Sequence, residues 1–155
     1  MIAPDDHIDR IMAVMAAAFA PEYGEAWTRR QVEDALLIGD CHYRLIGPAG
    51  TTPGDDQPAA GFFLSRHGYE EEELLLLAVD PGHRRLGLAS RLLAWLRDDA
   101  AGRGARRLLL EMRRGNPAEA LYRAHGFRQI GERPGYYRTP DGTRLDALTF
   151  ACELA

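Results

Sequence analysis

A run of six apolar residues at positions 74–79 constrains the fold of this chain more than any other feature of the sequence. It is far shorter than the roughly 20 residues that span a membrane as a helix. Acidic residues precede the run, and the turn-forming sequence Asp80-Pro81-Gly82 follows it. A short apolar run between such boundaries indicates a buried β-strand, which we expect to end near Val79.

The residues after this turn predict an amphipathic helix. Their apolar side chains recur at the spacing of one helical face, with charged residues between them: Leu88, Leu92, Leu93 and Leu96. The segment that joins strand and helix contains two small residues, Gly87 and Ala89, which allow a ligand to approach the backbone. The sequence thus predicts a strand, a tight turn and a helix in succession.

The beginning of that helix has the properties of a phosphate-binding site. The first N–H groups of a helix have no acceptor within the helix and lie at the positive end of its dipole. Arg84 and Arg85 add positive charge beside them. These features favour a ligand that carries a diphosphate. Taken alone, the segment is equally compatible with a solvated basic helix start.

Charged residues are divided unevenly along the chain. Residues 1–83 contain 15 acidic residues and 5 arginines, whereas residues 84–155 contain 8 acidic residues and 14 arginines. The basic half has no motif of basic residues with spaced aromatic residues, and arginines around an anionic cofactor explain its charge as well as nucleic acid would. We therefore expect no nucleic-acid partner. The chain has no lysine, which excludes a lysine Schiff base and a P-loop lysine.

Length and composition indicate one domain in the cytoplasm. A chain of 155 residues with 46% hydrophobic residues can bury a single core. The N-terminal sequence lacks the pattern of a signal peptide, and no apolar stretch is long enough for a membrane helix. Cys41 and Cys152 form neither a CxxC pair nor a metal-ligand spacing with the histidines. We expect no metal site, no membrane partner, and a monomer or weak dimer.

Helical and strand patterns alternate along the rest of the chain. We predict helices at residues 5–19, 28–38, 88–97 and 116–124. We predict strands at residues 42–46, 59–65, 70–79, 107–112, 127–132 and 145–152. Asp5 or Asp6 should cap the first helix, Thr28 the second and Asn116 the last, because their side chains accept hydrogen bonds from free N–H groups. The strand at 107–112 should be buried on both faces and pair in parallel with the strand before it.

Several of these motifs together resemble the Gcn5-related N-acetyltransferases (GNAT). The matching residues are Val79-Asp80-Pro81, the pattern Arg-x-x-Gly-x-Ala at residues 84–89, Leu110-Glu111, Leu121-Tyr122 and Gly126-Phe127. With Tyr136-Tyr137 they are similar to the RimI-type branch, which acetylates the N-terminal amine of a ribosomal protein. Two departures from that branch are a shorter spacing between Asn116 and Tyr122 and the presence of Ala89 where a glycine is common.

This resemblance implies an α/β fold with a mixed central sheet flanked by helices, in a single domain of residues 1–155. Residues 1–46 would form a helical region on the acceptor side, residues 73–127 the acetyl-CoA-binding core, and residues 127–154 the C-terminal strands. The family has a further strand before its first helix, for which only residues 1–4 remain here.

Acetyl-CoA is the co-substrate that the resemblance implies, with a primary amine as acceptor. The residues implied to bind acetyl-CoA are Leu77, Ala78, Val79, Arg84, Arg85, Leu86, Gly87, Leu88, Ala89, Ser90, Asn116 and Arg123. A backbone N–H at the point where residues 77–79 diverge from residues 108–111 would bind the developing oxyanion.

Transfer of an acetyl group from a thioester to an ammonium requires a base for the amine and an acid for the departing thiolate. Glu111, an acidic residue in an otherwise apolar strand, is the candidate base, and Glu73 is the competing one. An ion pair with Arg113 or Arg114 would instead give Glu111 a structural role. Tyr122 is the candidate acid, since a phenol of pKa about 10 can protonate the thiolate of a thiol of pKa about 8.5. Its alternative is a place in the core.

Three aromatic residues are candidate contacts for the acceptor: Trp27, Tyr136 and Tyr137. Their rings can cover a peptide backbone, although Trp27 could equally be the hydrophobic staple of the second helix. We expect the acceptor to be a protein N-terminal amine. A small-molecule amine remains the alternative, as does a non-catalytic acyl-CoA-binding module, which would require neither Glu111 nor Tyr122.

Overall fold

The computed structural model describes residues 4–154, in which a six-stranded mixed sheet has helices on both faces. The helices are α1 (Asp5–Ala18), α2 (Arg29–Ile38), α3 (Leu88–Gly102) and α4 (Glu119–Ala124), with single 3₁₀ turns at Pro21–Tyr23 and Pro81–His83. The strands are β1 (Cys41–Ile46), β2 (Gly61–His67), β3 (Glu71–Val79), β4 (Arg107–Arg113), β5 (Arg128–Arg138) and β6 (Arg144–Glu153). Their order is β1-β2-β3-β4-β6-β5, and only β3 and β4 pair in parallel. The predicted fold class is confirmed.

Two hydrophobic clusters hold the helices on the sheet. The apolar faces of α1 and α2 cover β1, β2 and β3 on one side. On the other side, α3 and the residues around α4 pack against the remaining core positions. None of the helices in residues 4–154 has the length and apolar character needed to cross a bilayer. The further strand considered for residues 1–4 falls mostly on residues 1–3, which lie outside the described part of the chain.

One of the three predicted helix caps is present in the structure and two are not. Thr28 caps α2 as predicted: its Oγ1 accepts from the Gln31 N–H (3.2 Å), while the Gln31 side chain accepts from the Thr28 N–H (2.7 Å). The prediction that Asp5 or Asp6 caps α1 is wrong. Pro4 occupies the cap position in an extended conformation, so both aspartates already belong to the first helical turn, where they favour the helix dipole.

The prediction that Asn116 caps the last helix is also wrong. The Asn116 side chain accepts from the Ala118 N–H (2.9 Å) in a turn of its own, and α4 begins only at Glu119. Asparagine side chains compete with helix formation in this way because they bond to backbone groups two residues on. The α3 helix, in contrast, extends beyond the predicted end at Arg97 to Gly102.

The prediction that β4 is buried on both faces is wrong as well. Its side chains alternate between buried positions, such as Leu110, and partly exposed positions, such as Glu111. The reason is that α1 and α2 extend only over β1, β2 and β3 and leave one face of β4 uncovered.

A buried acidic residue joins the far end of α3 to the sheet. Glu72 of β3 is fully buried, and it accepts hydrogen bonds from Ser65 Oγ (2.6 Å) and from the Arg103 guanidinium, whose Nε lies at 2.9 Å. Burial alone would raise the pKa of Glu72, but the hydrogen bonds from Arg103 and Ser65 outweigh it and lower the pKa. The charge of Glu72 is therefore retained in the interior.

The pairing of β3 with β4 is incomplete. It runs from Glu71 opposite Arg107 to Leu74 opposite Leu110 and then stops, although both strands continue. On the other edge of β3 the register with β2 shifts: Leu64 pairs with Leu76 but Ser65 pairs with Leu74. A bulge of this kind bends a strand. The bulge in β3 lies at the level where the pairing of β3 with β4 ends, so β3 and β4 separate there.

Candidate active site

An open cleft of about 980 Å³ occupies the space where β3 and β4 separate. One side is formed by residues 74–79 of β3 and the other by residues 110–113 of β4. The α1–α2 connection, the turn before α4, α4 itself and the β5–β6 hairpin also contribute to the lining, as do Arg84 and Ala89. Strands, helix and loops that are distant in sequence thus meet around one cavity.

A loop between β3 and α3 adjoins this cleft. Arg85 and Gly87 both have left-handed backbones (φ 66° and 74°), and Gly87 is followed directly by α3. The first intrahelical bond of α3 runs from the Arg91 N–H to the Gly87 carbonyl, so the preceding amides of the helix start have no acceptor within residues 4–154. A Cβ on Gly87 would have nothing within 4 Å, which leaves the backbone open on that side. Free amides in a left-handed turn at a helix N-terminus form an anion-binding concavity.

Glu111 lies in the cleft on β4, with its side chain 22% exposed. Its Oε2 accepts a hydrogen bond from Thr149 Oγ1 (3.3 Å) and lies 3.6 Å from Arg133 Nε. The pairing considered from the sequence, with Arg113 or Arg114, is wrong. Arg113 instead contacts the α1–α2 connection, and Arg114 pairs with acids of β5 and β6.

Glu73, the competing base, lies elsewhere. It belongs to the part of β3 that is still paired with β4, opposite Leu109, and it is absent from the lining of the cleft. Arg66 Nη2 donates a hydrogen bond to Glu73 Oε1 at 2.6 Å. The Glu73 carboxylate therefore lies where β3 and β4 are still paired and not in the cleft beyond Leu74 and Leu110.

Tyr122 of α4 is buried and lines the cleft. Its ring makes an edge contact with Phe127 (5.7 Å between centroids), and among residues 4–154 its hydroxyl has no hydrogen-bond partner. Burial and, secondarily, the charge of Glu25 raise the pKa of Tyr122 to about 12. The phenol therefore keeps its proton at neutral pH.

Two loops that contribute to the lining of the cleft lie against each other. In the α1–α2 connection, Gly24 has a left-handed backbone (φ 65°) and lies against Pro140 of the β5–β6 hairpin, where a Cβ on Gly24 would be 3.4 Å from the proline ring. Trp27 lines the cleft and also packs against the cluster under α1 and α2, so both roles considered for it are compatible with its position.

The two adjacent tyrosines of β5 differ in position. Tyr137 lines the cleft, and burial followed by the charge of Glu111 raises its pKa to about 12. Tyr136 is 53% exposed and is absent from the lining, with its ring against that of Tyr137 and under the Arg133 guanidinium. Only one of the pair can therefore contact a ligand inside the cleft.

The residues proposed to bind the cofactor divide into two groups. Those that line the cleft are Leu77, Ala78, Val79, Arg84, Ala89 and Asn116. Those outside the lining are Arg85, Leu86, Gly87, Leu88, Ser90 and Arg123. All but one of the second group belong to the adjoining loop and the first turn of α3. The exception, Arg123, pairs with Glu119 (2.8 Å) and lies over the Phe150 ring.

Three charged residues that line the cleft, Glu25, Arg113 and Arg138, are not among the site residues predicted from the sequence. Glu25 lies on the α1–α2 connection, and its Oε1 accepts a hydrogen bond from Arg113 Nε at 3.3 Å. The Arg113 guanidinium lies over the Tyr23 ring, 3.6 Å from its centroid. Glu25 and Arg113 are 88 positions apart in the sequence. No local pattern connects them, so the sequence contains no signal for this contact.

Comparison with known proteins agrees with this geometry. The acetyltransferase (GNAT) family matches residues 10–127. The chain belongs to this family. The GNAT match begins within α1 and ends at Phe127, and so includes the cleft walls formed by β3 and β4, the α3 loop and α4.

Two similar proteins carry the same name. The [ribosomal protein bS18]-alanine N-acetyltransferase of Haemophilus ducreyi is 42% identical over 86 residues, which cover 55% of this chain and 59% of that protein. The protein of the same name from Escherichia coli K12 is 39% identical over 97 residues, or 62% of this chain and 65% of the relative. Both matches span less than two thirds of the relative's length.

Similarity of structure extends further along the chain. The crystal structure of the ribosomal-protein-S18-alanine N-acetyltransferase from Escherichia coli superimposes with a TM-score of 0.81 at 27% identity. The superposition covers 100% of this GNAT chain and 92% of the other. The loops that cover the cleft are therefore included in the structural match.

Proposed function

We propose that this GNAT chain transfers the acetyl group of acetyl-CoA directly to the N-terminal α-amine of a protein, with a ribosomal protein as the first candidate acceptor. The observation that carries the proposal is that Glu111 and Tyr122 line one cleft beside a loop suited to a diphosphate. Similarity to two proteins named bS18-alanine N-acetyltransferases supports the choice of acceptor. A ribosomal acceptor also agrees with the cytoplasmic location predicted from the sequence.

The residues present fit acetyl-CoA. The diphosphate would lie against the free amides of residues 87–90, with Arg84 and Arg85 nearby. The narrow arm that carries the thioester would lie between β3 and β4, where the end of their pairing at Leu74 and Leu110 leaves backbone groups able to bond to an extended ligand. When bound, acetyl-CoA supplies the acetyl group as an activated thioester.

Glu111 accepts the proton that the acceptor ammonium must lose, directly or through a water. The neutral nitrogen would then form a bond to the acetyl carbon as the carbon–sulfur bond breaks, and the second proton that this nitrogen must lose would pass to solvent or replace the proton that Tyr122 gives to the sulfur. Thr149 and Arg133 hold the Glu111 carboxylate in a fixed position for this step. A positioned base of this kind contributes roughly 10²–10⁴-fold to a rate.

Tyr122 donates its proton to the departing sulfur. Its pKa of about 12 ensures that the phenol carries the proton at neutral pH. This pKa is higher than the ordinary phenol pKa assumed from the sequence. The difference between the pKa of Tyr122 and the pKa of a thiol in water is therefore larger. The sulfur departs into the same buried surroundings, however, and burial raises the pKa of a thiol as well. Transfer within a hydrogen bond therefore remains feasible.

The covering loops favour a peptide over a small amine. The cleft is open, and Tyr137, Trp27 and the Gly24–Pro140 contact surround its acceptor end. An extended N-terminal segment can enter such a channel and cover the aromatic rings, whereas a small amine would leave them in water.

A turnover assay tests the proposal. Purified protein with acetyl-CoA is supplied with alanine-initiated peptides, including the N-terminal sequence of the ribosomal protein, and separately with polyamines and aminoglycosides. We expect acetylation at the peptide α-amine. Acetylation of a small amine alone would replace the proposed acceptor. Absence of turnover with every amine, despite binding of acetyl-CoA, would favour a binding module.

A further inference from the structure

Glu25 is a carboxylate that the mechanism above does not use. Among the described residues that line the cleft, only Glu25 and Glu111 are acidic. Glu111 is placed on β4, whereas Glu25 comes from the α1–α2 connection. Its side chain is only 29% exposed, so Glu25 is not a member of a solvated acidic surface.

Several contacts hold Glu25 in place. Arg113 Nε donates to Glu25 Oε1, and the Arg113 guanidinium is itself 11% exposed and stacked on Tyr23. The second oxygen, Oε2, has no hydrogen-bond partner within residues 4–154. One half of the carboxylate is thus anchored, and the other half is available to a ligand.

The position of Glu25 relates it to the reacting groups. Its charge acts on the hydroxyls of both Tyr122 and Tyr137, and the charge of Glu111 acts on Tyr137 as well. Tyr137 therefore lies within electrostatic reach of both carboxylates. A cation that contacts the Tyr137 hydroxyl would be near two negative charges.

The acceptor enters this cleft as a cation. An α-amine has a pKa of about 7.7–8.0 and is largely protonated at neutral pH. Three arginines also line the cleft, namely Arg84, Arg113 and Arg138, and their charge opposes the entry of an ammonium. A carboxylate that is fixed near the reacting groups offsets this repulsion and orients the nitrogen.

We propose that Glu25 binds the ammonium group of the acceptor through its free carboxylate oxygen, while Glu111 removes the proton. The inference rests on the proposed acetyltransferase function. It makes Glu25 a determinant of specificity for amines that enter the cleft as cations, and it divides the work of the two carboxylates between binding and proton transfer.

Binding measurements on CoA-saturated protein test this role. One ligand is an alanine-initiated hexapeptide, and the other is the same peptide acetylated at its N-terminus, which lacks the charge. We expect the wild type to prefer the free-amine peptide. Glu25→Gln should reduce affinity for that peptide by roughly 10-fold or more and leave the affinity for the acetylated peptide nearly unchanged. In turnover assays the change should fall on the acceptor KM, with kcat and the acetyl-CoA KM little affected.

Two further variants separate this role from a structural one. Glu25→Asp keeps the charge and should retain the preference for the free amine. Glu22→Gln removes an exposed acidic side chain of the same connection that lies outside the cleft lining, and it should behave as the wild type. Thermal unfolding of each variant monitors the fold.

The outcomes are distinguishable. If Glu25→Gln weakens both peptides equally, Glu25 merely holds the α1–α2 connection and the inference is wrong. An unchanged preference in Glu25→Gln would also overturn it, without affecting the proposed acetyltransferase function. If the wild type binds acetyl-CoA but acetylates no amine, the proposed function fails and the inference fails with it.

Discussion

Leu74 of β3 and Leu110 of β4 are the last residues at which these two parallel strands pair. Beyond them both strands continue, and the space between them becomes the cleft that contains Glu111 and Tyr122. A parallel pair that opens in this way exposes backbone donors and acceptors in the middle of a sheet. An extended ligand can satisfy those groups.

Substitution of Gly87 should control the binding of acetyl-CoA. Gly87→Asp and Gly87→Asn introduce side chains of nearly the same shape, and both residue types tolerate the left-handed conformation found here (φ 74°). Only aspartate places a negative charge beside the diphosphate. A ligand at one hundred times its Kd stabilises the folded state by about 2.7 kcal/mol. We expect acetyl-CoA to raise the melting temperature of the wild type and of Gly87→Asn, but not of Gly87→Asp.

The pair is its own control for the fold, because without acetyl-CoA the two variants should melt at similar temperatures. An equal ligand-induced shift in Gly87→Asp and Gly87→Asn would show that the diphosphate binds elsewhere.

Replacement of the proposed base should reduce turnover in a pH-dependent manner. Glu111→Gln should lower kcat/KM by roughly 10²–10⁴-fold at pH values below the acceptor pKa, where the amine is protonated. The loss should be smaller at higher pH, since an amine that is already neutral needs no base. Glu73→Gln is the matched control, because Glu73 is paired with Arg66 outside the cleft. Loss of activity in Glu73→Gln with a fully active Glu111→Gln would identify Glu73 as the base.

Removal of the Tyr122 hydroxyl should affect the chemical step alone. Tyr122→Phe preserves the ring contact with Phe127 but deletes the proton donor, so kcat should fall by roughly 10²–10⁴-fold while the Kd for acetyl-CoA stays the same. Full activity of this variant would mean that another donor protonates the sulfur.

The pH profile of the wild type provides a second measurement on Tyr122. Raising the pH through the pKa of an acid removes the proton that it must donate. Because the pKa of Tyr122 is about 12, ionisation of this group should cause no loss of kcat between pH 7 and about pH 10. A decline centred near the ordinary phenol pKa of about 10 would contradict the role of a buried donor.

The two adjacent tyrosines should differ in their effect on the acceptor. Tyr137→Ala should raise the KM for an alanine-initiated peptide several-fold, because Tyr137 lines the cleft. Tyr136→Ala should change it little, since Tyr136 is exposed outside the lining. The KM for acetyl-CoA serves as the internal control in both variants. A larger effect from Tyr136→Ala would place the peptide outside the cleft.

Features formed by neighbouring residues could be predicted from the sequence. The strand at 71–79 and the helix that follows depend on apolar periodicity and on the Asp80-Pro81-Gly82 turn, and both are present in the structure. Thr28 caps its helix because its partner Gln31 is three residues away. Errors arose where a local rule had a competitor: the Asn116 side chain forms its own turn, and Pro4 takes the cap position of α1.

The candidate site could be predicted only in part, because local patterns do not predict contacts between residues that are far apart in the sequence. Glu111 and Tyr122 were identified because they belong to compact motifs that resemble a known family. The contacts of Glu111 with Arg133 and Thr149 could not be predicted. These two residues lie near Glu111 only because β4 pairs with β6 and β6 pairs with β5. Position in the sheet also separates Tyr137 from Tyr136, since successive side chains of a strand point to opposite faces.

By itself, the sequence determined the strand–turn–helix unit and the family to which the chain belongs, because these depend on residues close together in the chain. Only the tertiary structure decided that β3 and β4 separate after Leu74 and Leu110, and that Glu25, anchored by Arg113, lies in the same cleft as Glu111. Contacts between such distant residues form only when the sheet assembles and brings the connection between α1 and α2 over it.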